Sequence, residues 1–169
     1  MSADSLIGLW KDVRSGLIHE AERIPADQYS FRATAETRSV AELLQHVITT
    51  EKFLIGETCR ENTNLMRQSF PDHIKEYGAG VADVSDKAGL VDLLKTSMEQ
   101  SVRTLESYKD RLDNTMTRFD GQQSTKLAFL TFAMSHEMYH RGQLTVYERL
   151  LNLEPVLTER LNKLFAAAG

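Results

Sequence analysis

The sequence is poor in the residues that shape disulfide-rich and β-rich domains. Its 169 residues include one cysteine, Cys59, so an internal disulfide is excluded and a reducing compartment is expected. It has only three prolines, at positions 25, 71 and 155, and glycine is also sparse. Because both residues interrupt helices, their scarcity favours an all-α fold class built from long helices.

The chain also lacks a long apolar run and an excess of positive charge. No uninterrupted apolar stretch approaches the roughly 20 residues of a membrane-spanning helix, and the N-terminus lacks the basic and apolar regions of a signal peptide. The formal net charge is -4, which indicates no basic surface for nucleic acid. We therefore expect a cytoplasmic protein whose partners include neither a membrane nor nucleic acid.

Hydrophobic periodicity predicts helices along most of the chain. The predicted helices cover residues 5–24, 40–61, 87–112, 125–151 and 156–165. Ser39 and Glu42 have the spacing of a capping box at the start of the second helix. Asp86 and Ser124 are the expected N-caps of the third and fourth helices.

The four longer helices indicate a four-helix bundle. The connection over residues 62–85 is long enough to run the length of a bundle, so a simple up-down-up-down order is not required. No stretch alternates between apolar and polar residues, so no strand is predicted. We expect one helical bundle domain over residues 1–169, with long connections and a short C-terminal helix.

The segment HEMYH, residues 136–140, is the part of the sequence that indicates a chemistry. Two histidines four residues apart on a helix point the same way, and their nitrogens can reach one divalent cation. The same letters fit the HExxH pattern of zinc peptidases, whose glutamate is a general base. Such a peptidase takes its third ligand downstream, where Glu154 and Glu159 are the candidates. A third ligand downstream of the segment would indicate a peptidase, and a third ligand elsewhere in the chain would indicate a metal site of another kind.

A third histidine, His46, lies on the core-facing side of the second predicted helix, between Leu43 and Thr50. His136 and His140 continue the apolar side of the fourth helix, so all three imidazoles are expected to face the bundle interior. Buried imidazoles without partners are costly, and one metal ion would satisfy all three. Three nitrogens leave a divalent metal with open positions, as at catalytic sites, and they suit zinc, nickel and other late divalent ions.

Two stretches of the chain resemble the DinB-like (DinB/YfiT) family of metalloenzymes. The first is LWKDVRSGLIHEAERIPADQYSFRATAETRSVAELLQHV, and the second is MSHEMYHRGQLTVYERLLNLEP, in which Arg-Gly-Gln follows the histidine pair. The resemblance implies a helical bundle in which His46, His136 and His140 hold a divalent metal, and it implies a homodimer because dimers are frequent in the family. It weakens the peptidase interpretation, as does the lack of a predicted strand to hold an extended peptide.

The resemblance also implies a kind of reaction. Some members resemble metal-dependent hydrolases and others resemble thiol S-transferases that use bacillithiol, mycothiol or glutathione. We therefore expect an enzyme that acts on a small molecule, with a low-molecular-weight thiol as a candidate cofactor. The alternative is a noncatalytic metal-binding scaffold for dimerisation or a stress response, and an HExxH zinc peptidase ranks behind both.

Two further residues are candidates for roles beside the metal. Glu137 follows a predicted ligand directly and is a candidate general base, with an ion-paired or surface carboxylate as the alternative. Gln143, three residues after His140, is a candidate for holding a water, a substrate or a cofactor, with a plain interhelical hydrogen bond as the alternative.

Three expectations concern packing. Arg141 is a candidate ion-pair partner of Glu51 between helices, and Gly142 is expected to allow the close approach of a neighbouring helix. His73, in the long connection beside Pro71, is expected at the surface.

Overall fold

The computed structural model describes residues 2–168, so the two end residues of the predicted domain, Met1 and Gly169, lie outside the described part. In chain order the elements are α1 (Ala3–Arg23), α2 (Val40–Thr58), α3 (Phe70–Tyr77), α4 (Lys87–Tyr108), β1 (Thr115–Thr117), β2 (Gln123–Thr125), α5 (Lys126–Leu150) and α6 (Val156–Ala168). The long helices α1, α2, α4 and α5 form the predicted four-helix bundle, which is confirmed. None of the helices within this part of the chain is long and apolar enough to cross a membrane.

Side-chain caps explain where the long helices begin. The Ser39 hydroxyl accepts from the Glu42 backbone N–H (3.2 Å), and the Glu42 carboxylate accepts from the Ser39 N–H (2.8 Å), so the predicted capping box is confirmed. The predicted cap of α4, Asp86, is also confirmed. α5 is capped by Thr125, one residue after the predicted Ser124, which belongs to β2 instead.

A short antiparallel hairpin joins α4 to α5, and the expectation of no strand is wrong at this point. β1 pairs with β2 in the register Thr115 with Thr125 and Thr117 with Gln123. The turn between them places Gly121 at a φ of 76°, a left-handed conformation that glycine adopts without strain. Each strand has three residues, which is too short for an alternating pattern to stand out in the sequence.

Two buried apolar clusters show the direction in which each long helix runs. The first contains Leu17 of α1, Leu43 of α2, Leu90 of α4 and Leu144 of α5, and the second contains Leu6, Ile55, Leu105 and Leu130 of the same helices in that order. α1 and α5 therefore run parallel to each other and antiparallel to α2 and α4. Because α2 and α4 are parallel, the chain between them has to traverse the length of the bundle, for which residues 62–85 were expected to be long enough.

A buried polar layer separates the two apolar clusters. Arg14 of α1 is fully buried, and its guanidinium binds both carboxylate oxygens of Glu137 of α5, with Nε–Oε1 at 2.5 Å and Nη2–Oε2 at 2.8 Å. Its Nη1 lies 3.1 Å from Glu51 Oε2 of α2 and donates to Ser97 Oγ of α4 at 3.0 Å. One arginine thus connects all four long helices, including α1 and α2, which lie diagonally across the bundle.

Two packing expectations are wrong. Arg141 pairs with Glu20 (3.1 Å), because Glu51 is directed at Arg14. Gly142 is exposed, and a Cβ there would meet nothing within 4 Å, whereas a Cβ at Gly16 would overlap the Arg141 guanidinium. Gly16 of α1 therefore leaves room for the guanidinium of Arg141 of α5.

We predict that Arg14→Ala lowers the free energy of unfolding by about 3–5 kcal/mol, because two buried carboxylates lose their shared cation. Urea denaturation followed by circular dichroism measures the change. Arg103→Ala, on an exposed part of α4, is the control and is expected to change stability by less than about 0.5 kcal/mol. A loss below about 1 kcal/mol for Arg14→Ala would contradict a central role for this layer.

Candidate metal centre

The three predicted histidines come together in the groove between α2 and α5. His136 and His140 lie one turn apart on α5, and His46 approaches them from α2. Their Nε2 atoms form a triangle with sides of 3.1 Å (His46–His136), 3.1 Å (His46–His140) and 3.0 Å (His136–His140). His140 is buried, and the other two are half-buried at the edge of the bundle.

The ring tautomer of one histidine is set by its neighbour. His140 Nδ1 lies 2.7 Å from Gln143 Oε1, and an amide oxygen only accepts, so Nδ1 carries the proton and Nε2 carries a lone pair. Gln143 therefore orients His140 toward the centre of the triangle, as a carbonyl partner of a ligand histidine commonly does. A role of Gln143 in cofactor binding stays a prediction.

The triangle has the chemistry that a metal ion requires. A ring nitrogen that carries a proton has no lone pair left, so hydrogen bonds cannot close a triangle in which His140 Nε2 has no proton to give. A cation would accept all three lone pairs at once. Two nitrogens bound tetrahedrally at about 2.0–2.1 Å from zinc lie about 3.3 Å apart, which is close to the spacing observed here. The three residues fit a divalent metal.

Burial keeps these imidazoles neutral. Burial, as the largest cause, acts together with the neighbouring histidine rings and the positive charge of Arg38 to lower the pKa of His46 to about 3 and that of His136 to about 4. Burial also lowers the pKa of His140, whereas its hydrogen bond to Gln143 raises it. Neutral imidazole is the form that binds a metal, so the three rings need lose no proton at neutral pH.

Glu137 faces away from this triangle. It follows His136 by one residue, which is about 100° of helical rotation, and its side chain is 2 % exposed in the polar layer. Both of its oxygens accept from Arg14. This is the ion-paired alternative, and the role of Glu137 as a general base stays a prediction without a supporting contact.

The downstream candidates for a peptidase ligand are engaged elsewhere. Glu159 pairs with Arg23 and Lys163, and Glu154 accepts a hydrogen bond from Asn162. The third nitrogen of the cluster comes from the upstream histidine on α2. The arrangement is therefore a bundle site and lacks the downstream third ligand of an HExxH peptidase.

A second group of ligand-type side chains lies around α3. It consists of Glu57, His73 and Glu76, and the expectation that His73 is at the surface is wrong, because it is fully buried and its Nε2 donates to the Leu65 carbonyl (3.0 Å). Arg67 donates to both carboxylates of this group, with 2.8 Å to Glu76. A guanidinium already supplies the positive charge, so this is an ion-pair network.

An apolar cavity of about 470 Å³ lies between the hairpin and the first two turns of α5, and one of its walls, Phe132, contacts His136. Its walls include Leu65, Phe119, Phe129 and Phe132. The Phe132 ring lies 6.1 Å, centre to centre, from the ring of His136. A small molecule with an apolar part could therefore lie beside the three histidines.

Comparison with known proteins finds a family model and solved structures that are similar to this chain over most of its length. The model of the DinB family matches residues 1–168. The uncharacterized protein YjoA of Bacillus subtilis is 30% identical over 135 residues, which are 76% of this chain and 77% of YjoA. The crystal structure of YjoA has a TM-score of 0.68 at 26% identity and covers 88% of this chain and 92% of its own.

Two other solved structures share the fold at lower identity. YfiT of Bacillus subtilis, described as a probable metal-dependent hydrolase with an unusual four-helix bundle topology, has a TM-score of 0.68 at 16% identity over 90% of this chain and 89% of YfiT. The mycothiol-dependent maleylpyruvate isomerase has a TM-score of 0.69 at 15% identity over 85% of this chain and 61% of the isomerase. Both likenesses concern the fold alone.

We predict that His46→Ala abolishes stoichiometric metal binding, because two imidazoles on one helix are a poorer ligand set than three. Elemental analysis of the purified proteins measures metal per chain. His19→Ala, which removes an exposed histidine of α1, is the control and should keep the native content. Native metal content in the His46 variant would overturn the three-histidine assignment.

Proposed function

This chain belongs to the DinB family, and we propose that it is a metal-dependent enzyme that acts on a small molecule through His46, His136 and His140. The observation that carries the proposal is the triangle of three Nε2 atoms with sides of 3.0–3.1 Å. We propose zinc or nickel as the metal, since neutral imidazole nitrogens suit both. When bound, the ion would supply the Lewis acidity that either hydrolysis or thiol activation uses.

The ligand set favours a catalytic site over a closed structural one. Within residues 2–168, the cluster contains three histidines and no fourth histidine, cysteine or carboxylate. Structural zinc sites have four protein ligands, and catalytic sites keep a position for substrate or water. The half-buried state of His46 and His136 leaves this position accessible from the groove.

Two reaction classes remain for this site. The first is hydrolysis of a small molecule. The second is transfer of a low-molecular-weight thiol such as bacillithiol, mycothiol or glutathione. YfiT is described as a probable metal-dependent hydrolase and the isomerase as mycothiol-dependent, so each class has a counterpart with this fold. In either class Gln143 would orient His140 and is available to contact a cofactor, and Glu137 as general base would first have to leave Arg14.

The alternative is a noncatalytic scaffold in which the metal joins α2 to α5. We also propose that the protein is cytoplasmic and forms a homodimer, which is compatible with both functions. The large apolar side chains of α6 support the homodimer, because they are 41–67% exposed in the single chain and are available to pack against a second copy. They are Leu157, Leu161, Leu164 and Phe165.

Activity measurements on the metal-loaded protein test the proposal. One assay follows the conjugation of each thiol to a chromogenic aryl chloride, and the other follows the hydrolysis of small chromogenic esters. We expect turnover in one assay, and a loss of more than about 100-fold in His136→Ala, because the Lewis acid is no longer held.

The Arg103→Ala protein, with its exposed substitution on α4, serves as the active control. Full metal occupancy without turnover in either assay would contradict the enzyme and favour the scaffold. Equal activity of the native and His136→Ala proteins would contradict a role of the three histidines in the reaction.

A further inference from the structure

An exposed positively charged side chain, Arg38, shares a cavity with Gln143, the residue that contacts His140. Arg38 precedes the capping residue of α2, and its backbone carbonyl accepts from the Tyr147 hydroxyl (2.8 Å), which ties this point of the chain to α5. The Arg38 side chain is exposed. Within the part of the chain that the structure describes, its guanidinium forms no hydrogen bond or ion pair, in contrast to Arg14, Arg67 and Arg141.

Arg38 lines a polar cavity that is separated from the candidate metal centre by one residue, Gln143. The cavity has a volume of about 380 Å³, and its walls are Glu36, Thr37, Arg38, Gln143 and Tyr147. Gln143 also contacts His140, so one wall of the cavity is the residue that orients a candidate metal ligand.

The other charge in the cavity does not neutralise Arg38. Glu36 is fully exposed, and within residues 2–168 it forms no ion pair with Arg38. An uncompensated guanidinium next to a divalent cation is unfavourable, because the two positive charges repel each other. An anion bound between them removes this repulsion and accepts two parallel hydrogen bonds from the guanidinium.

We propose that this cavity binds the carboxylate of a small molecule whose other end meets the three histidines, with Arg38 as the residue that selects the carboxylate. The inference rests on the proposed function and deepens it, since it names the substrate class as a carboxylate-bearing small molecule. The Gln143 amide and the Tyr147 ring form the walls on the α5 side and limit the size of the group that enters.

Thiol binding to the cobalt-loaded protein tests the proposal without any need for turnover. Cobalt in the three-histidine site gives visible absorption that changes when a thiolate binds. The probes are mercaptoacetate, 3-mercaptopropionate and 4-mercaptobutyrate, which place a carboxylate at increasing distance from sulfur, and uncharged 2-mercaptoethanol. Cys59 does not compete, because burial raises its pKa to about 11.

We expect the native protein to bind at least one of the three carboxylates about tenfold more tightly than 2-mercaptoethanol. Arg38→Gln should remove this preference, and Arg38→Lys should retain part of it. Arg103→Gln, which removes an exposed charge of α4, is the matched control and should keep the full preference for the carboxylate-bearing thiols.

The outcomes separate this inference from the function on which it rests. If the native protein takes up no cobalt, both are overturned. If it takes up one cobalt per chain but binds no thiol, or binds all four equally, the carboxylate cavity is overturned and the metal site stands. If the preference persists in Arg38→Gln with native cobalt content, another residue selects the carboxylate and the assignment of Arg38 is wrong.

Discussion

The buried ion pairs of Arg14 set the geometry on which the candidate metal centre depends. The guanidinium binds Glu137 of α5 through two hydrogen bonds and Glu51 of α2 through one close contact. These are the two helices that carry the histidines. A bidentate pair fixes rotation about the helix axis more tightly than apolar contacts do, because both the direction and the distance of its bonds are specified. With Glu137 held inward, the preceding residue, His136, has to face the groove.

The same layer contributes to the charge balance at the centre. One arginine and two glutamates leave a formal charge of -1 in the middle of the bundle. The three histidines are neutral, so they add nothing to offset this charge. A divalent cation bound to them would be attracted by the excess carboxylate charge of this layer. The buried layer therefore supports the proposal of a cation at the three histidines.

Much of the fold followed from local features of the sequence. Helical periodicity located the long helices, and the capping box of Ser39 and Glu42 marked the start of α2 because its hydrogen bonds join residues three apart. Helical periodicity also placed His46, His136 and His140 on inward-facing sides. Their convergence additionally required α2 and α5 to be neighbours, which the resemblance to a known family implied.

The contacts that the sequence did not reveal depend on the relative rotation and height of distant helices. The pair of Arg14 and Glu137 joins residues 123 positions apart, and that of Arg141 and Glu20 joins residues 121 apart. One signal was present: Arg14 lies at the helical spacing of Trp10 and Leu17, so a charge interrupts the apolar side of α1. A buried charge needs a partner of opposite sign, and Glu51 and Glu137 interrupt α2 and α5 in the same way.

The buried pair of Glu137 and Arg14 favours one interpretation of the HEMYH segment, residues 136–140, over the other. In a peptidase, the glutamate of the motif needs a free oxygen directed at the water that it deprotonates. Here both oxygens of Glu137 are acceptors for Arg14, at 2.5 and 2.8 Å, on the side of α5 that faces the core. Freeing one oxygen would break one of the two hydrogen bonds that pair this buried carboxylate with Arg14, and weakening a buried ion pair is costly. The two histidines of the motif therefore face the groove beside His46, and its glutamate pairs with Arg14 in the core of the bundle.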